Sequence, residues 1–185
     1  MSERSERADR ALLLGPGASA TRDHSSLVAI ERALKPVAVE RIDLPKRKAE
    51  ALVAVVTDAA AALAQRADLA PDRLVLGGRS LGGRVCSLAV AGGLPALGLA
   101  LVSYPLHPPG RPEQLRVAHF PDLHVPCLFV SGTRDPFATP DELTTATKAV
   151  PGAVTHVWIE GGDHGLRGRD DVVAEAVRDW VLALS

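Results

Sequence analysis

Short apolar runs that alternate with longer segments of helical period constrain this chain more than any other feature of its sequence. The runs are Ala11–Leu14, Val37–Arg41, Leu74–Leu76, Leu97–Val102, Cys127–Val130 and Val154–Ile159. Each is too short for a helix, and a mostly unbroken apolar run fits a strand covered on both faces. Between them the spacing becomes helical. In Ala49–Ala67 the residues Leu52, Val55, Val56, Ala59, Ala60 and Leu63 form one stripe; Val173, Ala176, Val177, Trp180, Val181 and Leu184 form another. Thr139-Pro140-Asp141-Glu142 combines a capping box with proline at the first helical position, so a third helix is expected there, ending before Pro151. Less regular patterns predict helices over Ser25–Leu34 and Leu81–Ala91. Strands and helices in alternation give an α/β fold, a parallel sheet with helices on its faces.

A length of 185 residues fits a single domain. That domain is expected over 11–185, and the charged stretch 1–10, MSERSERADR, is expected to be disordered. The run Ala11–Leu14 is too short for a signal peptide or a membrane span, so a cytoplasmic location is expected. With 21 basic and 22 acidic residues, the net charge of −1 predicts neither a nucleic acid nor a membrane as partner. Cys86 and Cys127 lie far apart without ligand or redox spacing and read as reduced thiols packed as small hydrophobes. Between the fourth and fifth runs, Ser103–Pro126 holds six prolines. Regular structure there must be short, and a long irregular connection inside a domain points to a functional role.

The strongest chemical signal is Leu74-Val75-Leu76-Gly77-Gly78-Arg79-Ser80-Leu81-Gly82-Gly83-Arg84. It places G-x-S-x-G, Gly78 to Gly82, between a predicted strand and a predicted helix. A serine at the tip of so sharp a turn has a strained backbone, and side chains two residues before and after it would clash. The helix that follows points its first N–H groups at the serine, so the N–H of Leu81 is a candidate oxyanion donor.

A serine hydroxyl needs a base to take its proton. Of six histidines, His164 lies in Glu160-Gly161-Gly162-Asp163-His164-Gly165, directly after the last strand, at the sheet edge where the serine emerges. His156 falls inside a strand and His24 opens a helix, both structural readings; His119 and His124 lie in the proline-rich connection. Asp135 follows the strand Cys127–Val130 and is the candidate acid, giving the chain order Ser, Asp, His of α/β-hydrolases. Asp163 competes with it, although neighbouring residues rarely bond ring to carboxylate. Gly17 and Arg79 are possible pocket residues beside the serine, as are Tyr104 and His107 just past a strand end, with structural packing the alternative for the last two. Arg79, Arg84, Arg134 and Arg167 would suit an anionic substrate if they face the site; solvated surface positions are the plainer reading.

Taken together, GGRSLGGR, SYPLHPPGRPEQLR, LFVSGTRDPF and WIEGGDHGL resemble the compact α/β-hydrolases related to dienelactone hydrolase. The resemblance runs from Leu12 onward and is strongest to the branch that includes testis-expressed protein thirty and subunit three of the non-specific lethal chromatin complex. It implies Ser80 as nucleophile, Asp135 as acid and His164 as base, with no metal or organic cofactor. The family's first loop usually reads HGAG or HGAS. Here it is Gly15-Pro16-Gly17-Ala18-Ser19, which implies Ala18 as the second oxyanion donor. Dienelactone hydrolase itself uses cysteine, so its particular chemistry does not transfer. Larger members of the family carry two additional N-terminal strands and often a cap; this chain is expected to lack both, which leaves about six parallel strands and no large cap.

The implied activity is hydrolysis of a small ester, thioester or activated amide through an acyl-enzyme. Its partner would be a small-molecule acyl substrate, and the chain would be a monomer or homodimer. Two other readings remain open. One is a non-catalytic binding or scaffold protein on the same fold. The other is a dinucleotide-binding domain, because Gly15–Ala20 matches G-x-G-x-x-A and Glu40 sits where a ribose-binding acid would.

Overall fold

Residues 9–185, which the computed structural model describes, contain six strands: β1 (Ala11–Gly15), β2 (Ala38–Arg41), β3 (Leu74–Arg79), β4 (Gly98–Val102), β5 (Cys127–Gly132) and β6 (Val154–Ile159). All pair in parallel in the order β2-β1-β3-β4-β5-β6. The helices are α1 (Ser25–Ala33), α2 (Val53–Ala67), α3 (Leu81–Ala91), α4 (Pro140–Ala146) and α5 (Asp170–Ala183).

Alternate side chains of the central strands feed two separate cores, as a period of two requires. Leu13, Leu76, Leu99, Leu101 and Phe129 join the core under α2 and α3. Leu12, Leu14, Val75, Val102 and Val130 join the core under α1 and α5. Every residue of β1, β4 and β5 is buried, whereas the edge strands β2 and β6 are mostly half-exposed. No helix of the described residues is long and apolar enough to cross a membrane.

Several expectations change in detail. Residues 1–8 of the segment expected to be disordered lie outside the described residues, but Asp9 and Arg10 are held in place. Arg10 Nη1 donates to the carbonyls of Val181 (2.7 Å) and Leu184 (2.6 Å), satisfying orphan acceptors at the end of α5. Asp9 pairs with Arg73 at 2.7 Å. The helix expected from Ala49 begins as a 3-10 turn, Ala49–Leu52, before α2. The capping box at Thr139 forms as expected, and α4 tightens into a 3-10 turn over Thr147–Ala149. The loop after β1 does not open a helix on its glycines: α1 starts only at Ser25, and Glu40 is ion-paired with Arg66. A dinucleotide fingerprint needs the opposite arrangement.

The proline-rich connection is irregular apart from one 3-10 turn, Phe120–Asp122. It is pinned to the sheet by aromatic packing: Tyr104 meets Phe120 and Phe129 with ring centroids 5.4 and 5.9 Å apart. Beside them His119 Nε2 lies 2.8 Å from Ser87 Oγ on α3. Burial, and then the charge of Arg84, push the His119 imidazole down from 6.5 to about 4. Between those values the unfolded chain takes up a proton that the folded chain refuses, so His119 removes stability as pH falls through the window and has no effect above it. The expected outcome is a urea midpoint that falls more between pH 6.5 and 4 for the natural chain than for His119→Gln; parallel curves would contradict the assignment.

Candidate active site

Ser80 joins β3 directly to α3 with φ 49° and ψ −113°, in a region that side chains rarely adopt. Neighbouring backbone holds it there. The Ser80 N–H donates to the carbonyl of Val102 (2.8 Å), and the Gly82 N–H donates to the carbonyl of Pro16 (2.9 Å). Gly78 and Gly82 both pack on Gly15 of β1, where a Cβ on either would lie 2.1 Å from the Gly15 oxygen. Only glycine fits at those two positions, which is the reason for the G-x-S-x-G spacing.

The structure brings Ser80, at the sharp turn between β3 and α3, together with Asp135 and His164 from the loops after β5 and β6. His164 Nε2 is 3.0 Å from Ser80 Oγ, and His164 Nδ1 is 2.8 Å from Oδ2 and 3.1 Å from Oδ1 of Asp135. Asp135 is 1% exposed, and its Oδ1 also accepts the Phe137 N–H at 2.8 Å. A carboxylate can only accept, so the proton lies on Nδ1 and the Nε2 lone pair faces the hydroxyl. Asp163 does not orient the ring. Its Oδ1 accepts the N–H groups of Gly165 (2.9 Å) and Leu166 (3.0 Å) and so shapes the loop that carries His164.

The acid and base loops are stitched to each other. Arg134 N–H donates to the Gly162 carbonyl and Gly161 N–H to Thr133 Oγ1, each at 2.8 Å. Phe137 lies flat on the His164 ring, with centroids 3.9 Å apart and planes 25° from parallel. From the nucleophile side, Arg79 Nη2 donates to the His164 carbonyl at 2.6 Å. Burial lowers the Arg79 guanidinium from its ordinary value, opposed by Asp135, Asp163 and Asp170.

An open cleft of about 690 Å³ lies over Ser80, and Gly17, Ala18, Leu81 and Phe137 are among the residues lining it. Leu81 is the first residue of α3, so its N–H has no acceptor one turn back. The Ala18 N–H has no backbone acceptor among the described residues. Ala18 and Leu81 both line the cleft over Ser80.

Two expected pocket residues lie elsewhere. Tyr104 is 1% exposed, packed in the aromatic cluster, and its hydroxyl donates to the Arg116 carbonyl at 2.9 Å; burial lifts its phenol above the usual value. His107 is 4% exposed, with Nδ1 2.8 Å from the Pro108 carbonyl and Nε2 3.4 Å from Glu142. Pro105 and Arg116 of the same segment line the cleft instead. Arg84 and Arg167 also line it, whereas Arg134 is exposed outside it. His24 caps α1, its Nδ1 accepting from the Ser26 N–H, and lines the cleft as well. Phe137, Arg47, Lys48 and Arg116 were not picked out by sequence reasoning. Their only signal was closeness to a loop whose path the sequence did not specify. Among the described residues no group of three or more His, Cys, Asp or Glu is gathered as a metal ion would need.

Because Arg79 ties the base loop to the nucleophile's own strand, Arg79→Met is expected to lower kcat on an activated nitrophenyl ester about 10- to 100-fold with little change in KM. An unchanged kcat would remove the bracing role.

Comparison with known proteins agrees with this architecture. The family model described as "Alpha/beta hydrolase domain" matches residues 8–180. Est1E from Butyrivibrio proteoclasticus superposes with a TM-score of 0.79 at 16% identity, covering 98% of this chain and 90% of that one. A dienelactone hydrolase from Anabaena variabilis gives 0.74 at 17% identity, covering 96% and 88%. The esterase domain of a Rhodothermus marinus protein gives 0.69 at 21% identity, covering 96% and 88%. At these identities the structural likeness concerns the fold, and the family match extends over nearly the whole chain: this protein belongs to the alpha/beta hydrolase domain family.

Proposed function

We propose that this chain is a serine hydrolase that cleaves a small ester, thioester or activated amide through an acyl-enzyme. The observation that carries the reading is the unbroken hydrogen-bonded series Ser80 Oγ, His164 Nε2, His164 Nδ1 and Asp135, opening on a cleft beside the N–H groups of Leu81 and Ala18.

In this mechanism Ser80 Oγ attacks the carbonyl carbon while its proton passes to His164 Nε2. The carbonyl π electrons move onto oxygen, and the N–H groups of Leu81 and Ala18 hold that oxyanion. Asp135 keeps the imidazole in the required tautomer and stabilises its cationic form. Collapse of the tetrahedral species breaks the bond to the leaving group, which takes the proton from His164. Water then repeats the sequence: its proton goes to His164, its oxygen adds to the acyl carbon, and collapse releases the acid and restores the Ser80 hydroxyl.

Within the family, the motifs around Ser80, Asp135 and His164 favour the branch of testis-expressed protein thirty. The proposed partner is a diffusible acyl substrate, met in the cytoplasm by a monomer or homodimer. A near-zero net charge supports no role for nucleic acid or membrane.

A fluorophosphonate probe tests the nucleophile directly. It is expected to label the natural chain at Ser80 and to leave Ser80→Ala unlabelled, with His164→Ala labelled at least about 100-fold more slowly. An unlabelled natural chain would discard the enzyme reading in favour of a binding or scaffold role.

A further inference from the structure

The charge around the cleft does not resemble the charge of the chain. Basic and acidic residues are nearly balanced overall, at 21 and 22. Yet Arg47, Lys48, Arg79, Arg84, Arg116 and Arg167 line the cleft, and among the described residues no aspartate or glutamate does. Arg79 is occupied by the His164 carbonyl. Of the others, Arg84 is ion-paired with Glu50, and Lys48 and Arg116 line the same cleft.

Arg84 lies one turn along α3 from Ser80, its N–H bonded to the Ser80 carbonyl at 3.0 Å. Its Nη2 reaches Glu50 at 2.8 Å, while its Nε is buried with no hydrogen-bond partner among the described residues. Arg116 comes from the proline-rich connection, with its backbone fixed on both sides. Its N–H donates to the Leu106 carbonyl at 2.8 Å, and its carbonyl accepts the Tyr104 hydroxyl at 2.9 Å. The two guanidiniums are close enough for Arg84, after burial, to disfavour the charge on Arg116. Lys48 adds a third positive charge beside Glu50. Glu50 is 63% exposed at its side chain and so is well screened by water. His119, next to Arg84, is kept neutral near pH 7. Like charges lining one cleft, with one solvated counter-charge among them, leave an excess of positive charge that an oxyanion would neutralise.

We propose that Lys48, Arg84 and Arg116 form a subsite for a carboxylate or phosphate group of the substrate, so that the hydrolase acts on esters or thioesters carrying a negative charge away from the scissile carbonyl. This deepens the serine hydrolase reading of the same cleft and rests on it. Paired guanidiniums take either oxyanion bidentately, and the shared requirement is a planar or tetrahedral set of acceptor oxygens.

The test compares two nitrophenyl esters of equal chain length, the hemiglutarate and the pentanoate. At low salt kcat/KM for the charged ester is expected to exceed that for the neutral one at least about tenfold, and the ratio is expected to shrink at high salt. Arg116→Gln is expected to lower that ratio about tenfold, with Arg84→Gln acting in the same direction and Arg178→Gln, on α5 outside the cleft, leaving it unchanged. A ratio at or below one, or a ratio that neither cleft variant moves, would overturn the subsite while leaving the hydrolase intact. Calorimetric titration with phenyl phosphate and with benzoate reads the subsite without turnover. Tighter phenyl phosphate binding, weakened by Arg116→Gln, assigns a phosphate; tighter benzoate binding, weakened likewise, assigns a carboxylate. Binding of neither anion at low salt overturns the subsite. Anion binding in a chain that turns over no ester and takes no fluorophosphonate label supports the subsite and discards the hydrolase.

Discussion

Gly78 and Gly82 press on the backbone of Gly15 with no space for a single carbon more, and the geometry of the whole cleft follows from that contact. It lets the chain leave β3, turn through Ser80 in a strained conformation and enter α3 without a connecting loop. It also brings the loop after β1 against the start of α3, where the Pro16 carbonyl accepts the Gly82 N–H. Ser80, Ala18 and Leu81 therefore line the same cleft. The strain is offset by burial on both faces of the central sheet, where β1, β4 and β5 are covered throughout.

The base is positioned by a different device. His164 sits on a loop that follows the edge strand β6, and it is fixed by several small restraints. Asp135 holds Nδ1, Phe137 covers one ring face, Asp163 bonds two loop N–H groups, and Arg79 reaches across from β3 to its carbonyl. Each is an ordinary contact. Their sum keeps Nε2 within hydrogen-bonding distance of Ser80 Oγ.

The sequence was most informative where local chemistry and tertiary structure obey the same rule. Short apolar runs between helical segments located the six described strands, most plainly β1, β4 and β5, because a strand covered on both faces has no freedom to be polar. The elbow could be read because its glycines are required by backbone contact alone. Asp135 and His164 could be singled out because each lies within a few residues of a strand end, whose position fixes the start of the loop. Tyr104 and His107 meet that same condition and still point inward. Past a strand end the chain's path depends on what it packs against, and the cluster of Tyr104, Phe120 and Phe129 has no sequence period to reveal it. The same limit hid Phe137 and the convergence of Lys48, Arg84 and Arg116, which come from separate segments and meet only in the folded chain. The order at Asp9 and Arg10 was hidden because a charged terminus looks solvated until its carbonyl partners on α5 are known.

The placement of Ser80 and His164 after unequal strands has a further consequence. Ser80 ends an interior strand, whereas the His164 loop hangs from β6, which has a neighbour on one side only and is half-exposed along most of its length. Unzipping an outer strand costs less than melting the interior. Warming is therefore expected to separate the Ser80 hydroxyl from the His164 imidazole before the body of the protein gives way, so the proposed activity would be lost while the helices are still intact.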